Sequence, residues 1–222
     1  SLSDPYEFMK NTGILFKPEG FSLLAYEKVL QKPEIATGYL NTLFYVGAGT
    51  ALSIILTVSF GYVLSRKNSM LSRPIMIMVL FTMYFHSGLI PTYLLVKGLG
   101  LVNTRFAIIL PTAISTYNLI IMRTAFVSVP ESLEEAAKID GAGPLKILVS
   151  VIVPLIMPTI AVIMLYYAVA QWNSWFNAAI YLRDEKLYPL QLFLREILIY
   201  NDQKDMMISE SADQLALGEI IK

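Results

Sequence analysis

Cysteine is absent from the sequence, and histidine occurs once, as His86. The lack of thiols excludes disulfide bonds, thiolate catalysis and cysteine-based metal sites, and it leaves the redox compartment unassigned. Charged residues are scarce, at 15% of the chain, against roughly a quarter in ordinary soluble domains. With 17 basic and 17 acidic residues, the formal net charge is zero. The totals therefore give no electrostatic reason to expect nucleic acid as a partner.

Motifs for nucleotide binding and catalysis are missing as well. No G-x-x-x-x-G-K-[ST] sequence occurs, so the chain does not cradle nucleotide phosphates in the P-loop manner. There is no H-E-x-x-H zinc motif, and no nucleophile has a partner that the sequence alone reveals. We therefore expect that this chain binds no cofactor or metal and is not an enzyme.

Apolar residues make up 55% of the 222 residues and concentrate in four runs without Lys, Arg, Asp or Glu. The runs are Tyr39–Leu64, Pro74–Val96, Phe106–Met122 and Ile147–Ala170. A bilayer core of about 30 Å needs about 20 helical residues, so each run is long enough or nearly long enough to cross it. The pattern predicts an all-α, polytopic membrane helical bundle at 39–170. Pro111, Pro154 and Pro158 predict bends in the last two runs.

Four spans place both flanking segments, 1–38 and 171–222, on the same side of the membrane. Within the second segment, Tyr188–Tyr200 is too short and too charged to span, so it predicts a helix lying at the interface. Lys and Arg divide evenly between the two sides, and their distribution alone does not orient the chain. The cluster of Arg66, Lys67 and Arg73 favours a cytoplasmic position for the loops at 65–73 and 123–146.

The loop at 123–146 carries the most specific pattern in the chain. Ser128, followed three residues later by Glu131, is a capping box, and Pro130 suits the first turn of a helix. A short helix is therefore predicted at Val129–Asp140. Its residues Leu133, Ala136, Ala137 and Asp140 recur at helical spacing and include small side chains, which would let another protein approach closely.

Two glycines follow this predicted helix. Gly141 and Gly143 can each end it in a left-handed conformation, and Pro144 can open a second helix that runs into the fourth span. The pattern therefore predicts a helix-turn-helix at the membrane surface.

The same loop resembles the EAA loop of permeases from binding-protein-dependent ABC importers. The matching residues are Glu135, Ala136, Ala137, Gly141, Val151, Val153 and Pro154. The resemblance implies that the helix docks into a cleft of a separate ATP-binding subunit and that the loop is cytoplasmic. By this resemblance the residues that couple the chain to the ATPase are Glu135, Ala136, Ala137, Asp140 and Gly141.

Further segments are similar to the carbohydrate branch of this family, particularly its oligosaccharide importers. They read SGLIPTYLLVKGLGLVNTRFAIILP, YNLIIMRTAF, WNSWFNAAIYL and YPLQLFLREIL. The resemblance implies four spans of an expected six, in the cell membrane of a prokaryote. The implied partners are a second permease chain, two ATP-binding subunits that hydrolyse ATP, an extracytoplasmic solute-binding protein, membrane lipid and a carbohydrate substrate. His86 and Ser87 depart from the smaller residues that relatives often carry here.

Polar side chains in the apolar runs are candidates for the substrate path. Thr112, Ser115 and Asn118 recur every third residue in the third run. A second group follows the end of the fourth run and comprises Tyr167, Gln171, Trp172, Asn173, Ser174, Trp175 and Asn177. Amides and hydroxyls beside aromatic rings suit a sugar. The same residues also suit helix packing and the aromatic belt of a membrane interface.

Three other functions stay open at the level of the sequence. A permease of the same family for a non-sugar solute would share the EAA loop. A channel or secondary transporter would be expected to carry ionisable residues inside its spans, where only His86 occurs. An intramembrane enzyme would require a nucleophile or metal constellation.

Overall fold

The computed structural model describes residues 33–66, 72–85 and 87–200, and its regular structure is entirely helical in these ranges. The first four helices are α1 at Pro33–Ser65, α2 at Ser72–Tyr84, α3 at Leu89–Gly98 and the single turn α4 at Phe106–Ile109. Next come α5 at Thr116–Val127, α6 at Glu131–Ile139, α7 at Pro144–Ile147, a π-helical segment at Leu148–Ile152 and α8 at Val153–Leu155. The last are α9 at Met157–Trp172, α10 at Trp175–Tyr181, a 3₁₀ turn at Glu185–Leu187 and α11 at 190–200. The all-α fold class is confirmed.

Among the described residues, α1 is the one unbroken helix that is long and apolar enough to cross a membrane. The fourth apolar run passes the same test only when Pro144–Leu155 and Met157–Trp172 are taken together across a bend of 86°. The helices α2 and α3 are apolar but shorter, at 13 and 10 residues. The first run is therefore one unbroken helix, the fourth is a span broken by this bend, and the second and third runs are divided into shorter helices.

Each break has a local cause in the chain. Gly88, between α2 and α3, has φ 80°, a conformation open to glycine without steric cost. Pro111 lies between α4 and α5, where the chain leaves the helix until Thr116. Pro158 stands in the first turn of α9, directly after the bend at Ile156. Proline removes a backbone hydrogen-bond donor and crowds the preceding turn. The interruptions predicted in the third and fourth runs are confirmed by the break at Pro111 and the bend before Pro158.

The surface of the described residues is more apolar than that of a soluble protein. The helix α2 has no buried residue, and large apolar side chains are exposed along α1, α3 and α9. Polar residues are instead buried where helices meet, and they include Asn41, Thr42, Thr50, Ser53, Thr57, Asn118 and Gln171. A broad exposed apolar surface marks contact with a membrane or another protein, and buried hydroxyls and amides are common between membrane helices.

The core forms where α1 packs along both α5 and α9. Met122 and Phe126 of α5 meet Ile152, Ile160 and Ile163 in the main buried cluster. Glycines in α1 permit this close approach, because a Cβ added at Gly61 would lie 2.9 Å from the side chain of Met122. The three helices therefore form a single packed unit, and the short helix α6 lies at one end of it.

The opposite end is closed by the segment that follows α10. Asn41 Nδ2 donates to the backbone carbonyls of Lys186 at 2.7 Å and Tyr188 at 3.2 Å, and Tyr45 Oη donates to Leu187 O at 2.8 Å. These bonds place the start of α1 and the 182–190 segment at the same end of the bundle, as the even number of spans predicts. The expectations for 1–32, 67–71, His86 and 201–222 lie outside the described residues.

Candidate coupling helix and translocation path

The short helix α6 begins without the predicted capping box. The preceding helix α5 extends to Val127, so Ser128 becomes its C-terminal cap, and the Ser128 hydroxyl donates to Ala125 O at 2.7 Å. Pro130 precedes the first residue of α6, and no side chain caps this helix. The helix was predicted in the right place, but the capping interaction assigned to Ser128 and Glu131 is wrong.

The C-terminus of α6 is a Schellman motif. Gly141 has φ 77°, its N–H donates to Lys138 O at 3.0 Å, and the N–H of Ala142 donates to Ala137 O at 2.9 Å. This pair of bonds satisfies the last carbonyls of the helix and requires a left-handed residue at Gly141. The expectation for Gly141 is confirmed, whereas Gly143 has φ −72° and is not left-handed. Pro144 opens α7 as predicted.

The exposed face of α6 carries most of the residues expected to meet an ATPase. Glu135, Ala136 and Asp140 are exposed, and Gly141 follows them at the turn. Ala137 differs, because it is half-buried and packs against the main hydrophobic cluster of its own chain. Ala142 packs against the same cluster, as expected of the two residues that a Schellman motif brings together. The predicted contact of Ala137 with the ATPase stays a prediction.

Glu134 also points inward, and sequence reasoning did not identify it. Its side chain forms an ion pair with Arg66, the residue that follows α1. Glu134 is 7% exposed, and the Arg66 guanidinium stacks 3.9 Å from the centre of the Tyr62 ring. Nearby, Arg123 Nε donates to Leu64 O at 3.0 Å. Arg66 and the C-terminal end of α1 thus meet the 123–146 loop at one end of the bundle.

The predicted polar stripe of the third run is not a helical stripe. Thr112 lies in the break between α4 and α5, Ser115 caps α5 by accepting from Asn118 N, and Asn118 lies in the first turn. Asn118 is buried at 5% exposure. The assumption of continuous helical spacing is wrong because Pro111 interrupts the run. Thr112 and Ser115 still contact α9, through Gln171 and Tyr167. Their predicted role in the substrate path is untested by these contacts.

Tyr167 joins three parts of the bundle through its hydroxyl. The N–H of Ser115 donates to Tyr167 Oη at 3.0 Å, and Tyr167 Oη is 2.8 Å from Thr57 Oγ1. The residue is 3% exposed. Its hydroxyl is therefore held by packing partners, while its ring lines a small polar cavity described below.

Removal of this hydroxyl is expected to destabilise the fold. Tyr167→Phe leaves the partly buried N–H of Ser115 without its acceptor, which costs about 1 kcal/mol or more. Thermal unfolding of the purified chain in detergent should show a lower Tm for Tyr167→Phe. Tyr166→Phe is the matched control, because Tyr166 is 47% exposed and should leave Tm at the parent value. Equal Tm values for the two variants would contradict this role.

A polar cavity of about 180 Å³ lies at the end of α9. Its polar lining residues are Thr112, Tyr167, Gln171, Asn173, Ser174 and Asn177. Gln171 Nε2 donates to Thr112 Oγ1 at 3.0 Å, and Thr112 Oγ1 donates to Ile108 O at 3.0 Å. A flipped amide would set two acceptors against each other, so the chain of donors fixes the orientation of Gln171.

With its Nε2 bonded to Thr112, the Gln171 amide has its oxygen left as an unpaired acceptor within the part of the chain that the structure describes. Among the described residues, the buried Gln171 Oε1 and Ser174 Oγ have no hydrogen-bond partner. Gly49 of α1 makes room for the amide, since a Cβ at this position would lie 2.8 Å from Gln171 Cδ. Unpaired buried polar atoms are costly, and beside a cavity they suit a hydroxylated ligand or ordered water.

The remaining candidates surround this cavity without all facing it. Asn173 is exposed and its amide donates to Val169 O at 2.9 Å. Trp172 packs edge to face on Tyr39, with ring centres 6.2 Å apart. Trp175 packs against the cluster that includes Tyr45, Ile108 and Ala178, and the guanidinium of Arg195 lies 3.8 Å from the centre of its ring. The two tryptophans therefore have packing roles in addition to any contact with substrate.

The helical bundle, with its exposed apolar helices and buried polar contacts, has the features of an α-helical membrane protein. The family model described as "Binding-protein-dependent transport system inner membrane component" matches residues 49–187. The chain belongs to this family and is a membrane-embedded permease component.

The similar proteins support the same fold and class. The chain is 44% identical over 191 residues to the polygalacturonan/rhamnogalacturonan transport system permease protein YtcP of Bacillus subtilis, covering 85% of this chain and 67% of the relative. It is 39% identical over 202 residues to Protein LplC of the same organism, covering 91% and 68%. A solved bacterial ABC transporter involved in import of the acidic polysaccharide alginate matches with a TM-score of 0.85 and 36% identity, covering 88% of this chain and 69% of that one.

Proposed function

We propose that this chain is the permease subunit of an ATP-driven importer that moves sugars or oligosaccharides across the membrane of a prokaryotic cell. The observation that carries the proposal is the 44% identity, over 85% of the chain, to a permease of polygalacturonan and rhamnogalacturonan transport. The solved relative that imports alginate supports the same substrate class. Membership of a binding-protein-dependent family implies partners that bind ATP and solute.

The roles of this chain and of its partner subunits follow from the motifs that the sequence has and lacks. ATP is bound and hydrolysed by separate subunits, since the sequence has no P-loop. The exposed residues Glu135, Ala136, Asp140 and Gly141 form the surface that meets the ATPase. A solute-binding protein delivers carbohydrate to the opposite end, and a second permease chain and lipid cover the exposed apolar faces. In this arrangement 39–170 is the transmembrane domain with its coupling loop at 123–146, while 1–38 and 171–222 are extracytoplasmic.

The substrate path passes the polar cavity at the end of α9. Gln171 Oε1 is an oriented acceptor, Ser174 Oγ is a free hydroxyl among the described residues, and Phe176 supplies an apolar ring at the same cavity. A sugar offers hydroxyl donors and apolar ring faces, so it matches this combination. The supporting observation is the fixed direction of Gln171, which Thr112 imposes.

Loss of the oriented amide is expected to slow transport. Gln171→Leu should reduce oligosaccharide uptake about fivefold or more, because a sugar hydroxyl left without its partner in a buried site costs about 1–3 kcal/mol. Asn118→Leu should reduce uptake as well, because the proposed path continues past the buried amide in the first turn of α5. Copurification of the ATP-binding subunit should remain at the parent level, since Gln171 and the first turn of α5 are distant from α6. Normal uptake by both variants would contradict the proposed path.

The substrate class itself is tested by ATP turnover of the complete importer with its solute-binding protein in liposomes. A panel should contain acidic oligosaccharides, neutral oligosaccharides, peptides and amino acids. We expect stimulation by at least one oligosaccharide and none by the nitrogenous solutes. Stimulation by a peptide or amino acid alone would favour a permease of the same family for a non-sugar solute.

A further inference from the structure

The joint between α6 and the bundle consists of two different connections. The backbone of α6 lies against α7 and the π-helical segment, which lead directly into the fourth apolar run. Its connection to α1 is made by side chains, through the ion pair between Glu134 and Arg66. These residues are separated by 68 positions in the sequence. A movement of α6 therefore has a route to the fourth run through the chain and a route to α1 through this pair.

The environment of the pair makes it a specific contact rather than a loose surface bridge. Glu134 is almost fully buried, and Arg66 is held between the carboxylate and the face of Tyr62. Ion pairs between exposed side chains contribute little to stability. Here the Arg66 side chain is 31% exposed and that of Glu134 only 9%, so removal of Arg66 would leave a carboxylate buried without its partner, which is strongly unfavourable. The stacked guanidinium also fixes direction, since its planar fork fits a carboxylate in few orientations.

The surroundings of the pair are open. A cleft of about 190 Å³ on one side is lined by Phe126, Val129 and Glu135 among others, and a cleft of about 310 Å³ on the other by Val63, Ala142 and Pro144 among others. Arg66 and Glu134 line both clefts. The pair thus bridges a region in which close packing does not hold α6 against α1.

We propose that Arg66 and Glu134 are positioning residues that transmit movement of α6 to α1 during ATP-driven transport. This inference rests on the proposed function, because the movement of α6 is imposed by the ATPase. The pair keeps α6 at a fixed orientation to the end of α1 while the Schellman turn keeps it at a fixed orientation to α7. Without the pair, α6 still docks through its exposed face, but its displacement is no longer passed to α1.

The measurement is the number of oligosaccharide molecules imported per ATP hydrolysed, in liposomes that contain the complete importer. A variant that merely folded less well would lower the amount of active complex without changing this ratio. Arg66→Ala and Glu134→Gln should lower the ratio at least about fivefold, while the ATP-binding subunit still copurifies. Glu134→Gln keeps the side-chain volume, so it carries the test if Arg66→Ala fails to assemble.

Two further variants make the result specific. Arg73→Ala removes an exposed cation from the adjacent helix α2 and should keep the parent ratio. The double variant Arg66→Glu with Glu134→Arg should couple better than Arg66→Glu alone, because the opposite charges meet again. An unchanged ratio in both single variants, or no gain in the double variant, would overturn the inference. Failure of the parent importer to transport any oligosaccharide would instead count against the proposed function.

Discussion

Gly141→Val is expected to weaken coupling between the ATPase and this chain strongly. Gly141 has φ 77°, and a β-branched residue is a steric outlier in that region. The strain of about 1–3 kcal/mol corresponds to roughly a 5- to 150-fold loss of the docking-competent turn. A Cβ at Gly141 would have no atom within 4 Å, so the effect must come from the backbone and not from a clash. Copurification of the ATP-binding subunit and substrate-stimulated ATP turnover measure this loss.

Gly143→Val is the matched control for Gly141→Val, because Gly143 lies two residues away in the same loop. Gly143 has φ −72° and ψ 162°, and a Cβ there also meets open space. Because any residue adopts this extended conformation, Gly143→Val should retain ATPase binding and turnover close to the parent. Both variants add the same side chain to the same loop, so equal activity in the two would contradict a functional role for the left-handed turn.

Ala136→Trp should prevent the ATP-binding subunit from docking. Ala136 is exposed on α6 beside Glu135 and Asp140, and a small side chain there permits close approach of a partner. An indole at this position would hold the two surfaces apart, and overpacking of a close interface costs about 1–3 kcal/mol or more. The expected result is loss of copurification with a normal Tm for the permease itself.

The control for Ala136→Trp is Ala179→Trp, which adds the same side chain at an exposed position of α10, at the opposite end of the bundle. It should leave ATPase copurification unchanged. Ala137→Trp is a different experiment, because Ala137 packs inward against the core and the substitution should lower Tm as well. Normal copurification of the ATP-binding subunit with Ala136→Trp would contradict the assignment of the exposed face of α6 as the docking surface.

Sequence patterns predicted the elements of the coupling loop better than their contacts. The position of α6, the left-handed Gly141 and the opening of α7 at Pro144 followed from residues close together in the chain. The capping box failed because α5 continues to Val127, so the Ser128 hydroxyl is already bonded within that helix. Ser128 could end one helix or start the next, and the cap residues alone do not show which role it takes.

Orientation of the helix faces required the tertiary structure. Helical spacing groups Ala136 with Ala137 but does not say which of them meets the core. Glu134 appeared as one acidic residue among several, and its partner Arg66 lies in a distant loop. A glutamate on the inward face of a short helix is the signal that could have suggested a buried partner, yet only the fold brings α1 to it.

The sequence identified the polar residues expected along the substrate path, but it did not predict how they are arranged. Hydropathy located the third and fourth runs, but continuous helices do not form across Pro111 and Ile156. The break at Pro111 brings Thr112 to Gln171, a contact between residues 59 positions apart. Thr112 thus lines the same cavity as the polar residues at the end of α9, whereas Ser115 and Asn118 are not among its lining residues.

The proposed function requires that transport be driven by ATP hydrolysis in a partner subunit. The direct measurement is uptake of labelled oligosaccharide into liposomes containing the complete importer, compared with liposomes containing the permease chains alone. The account predicts uptake only when the ATP-binding subunits, the solute-binding protein and ATP are all present, and no uptake by the permease chains under an imposed ion gradient. Gradient-driven uptake by the permease chains alone would contradict it and would identify a channel or secondary transporter.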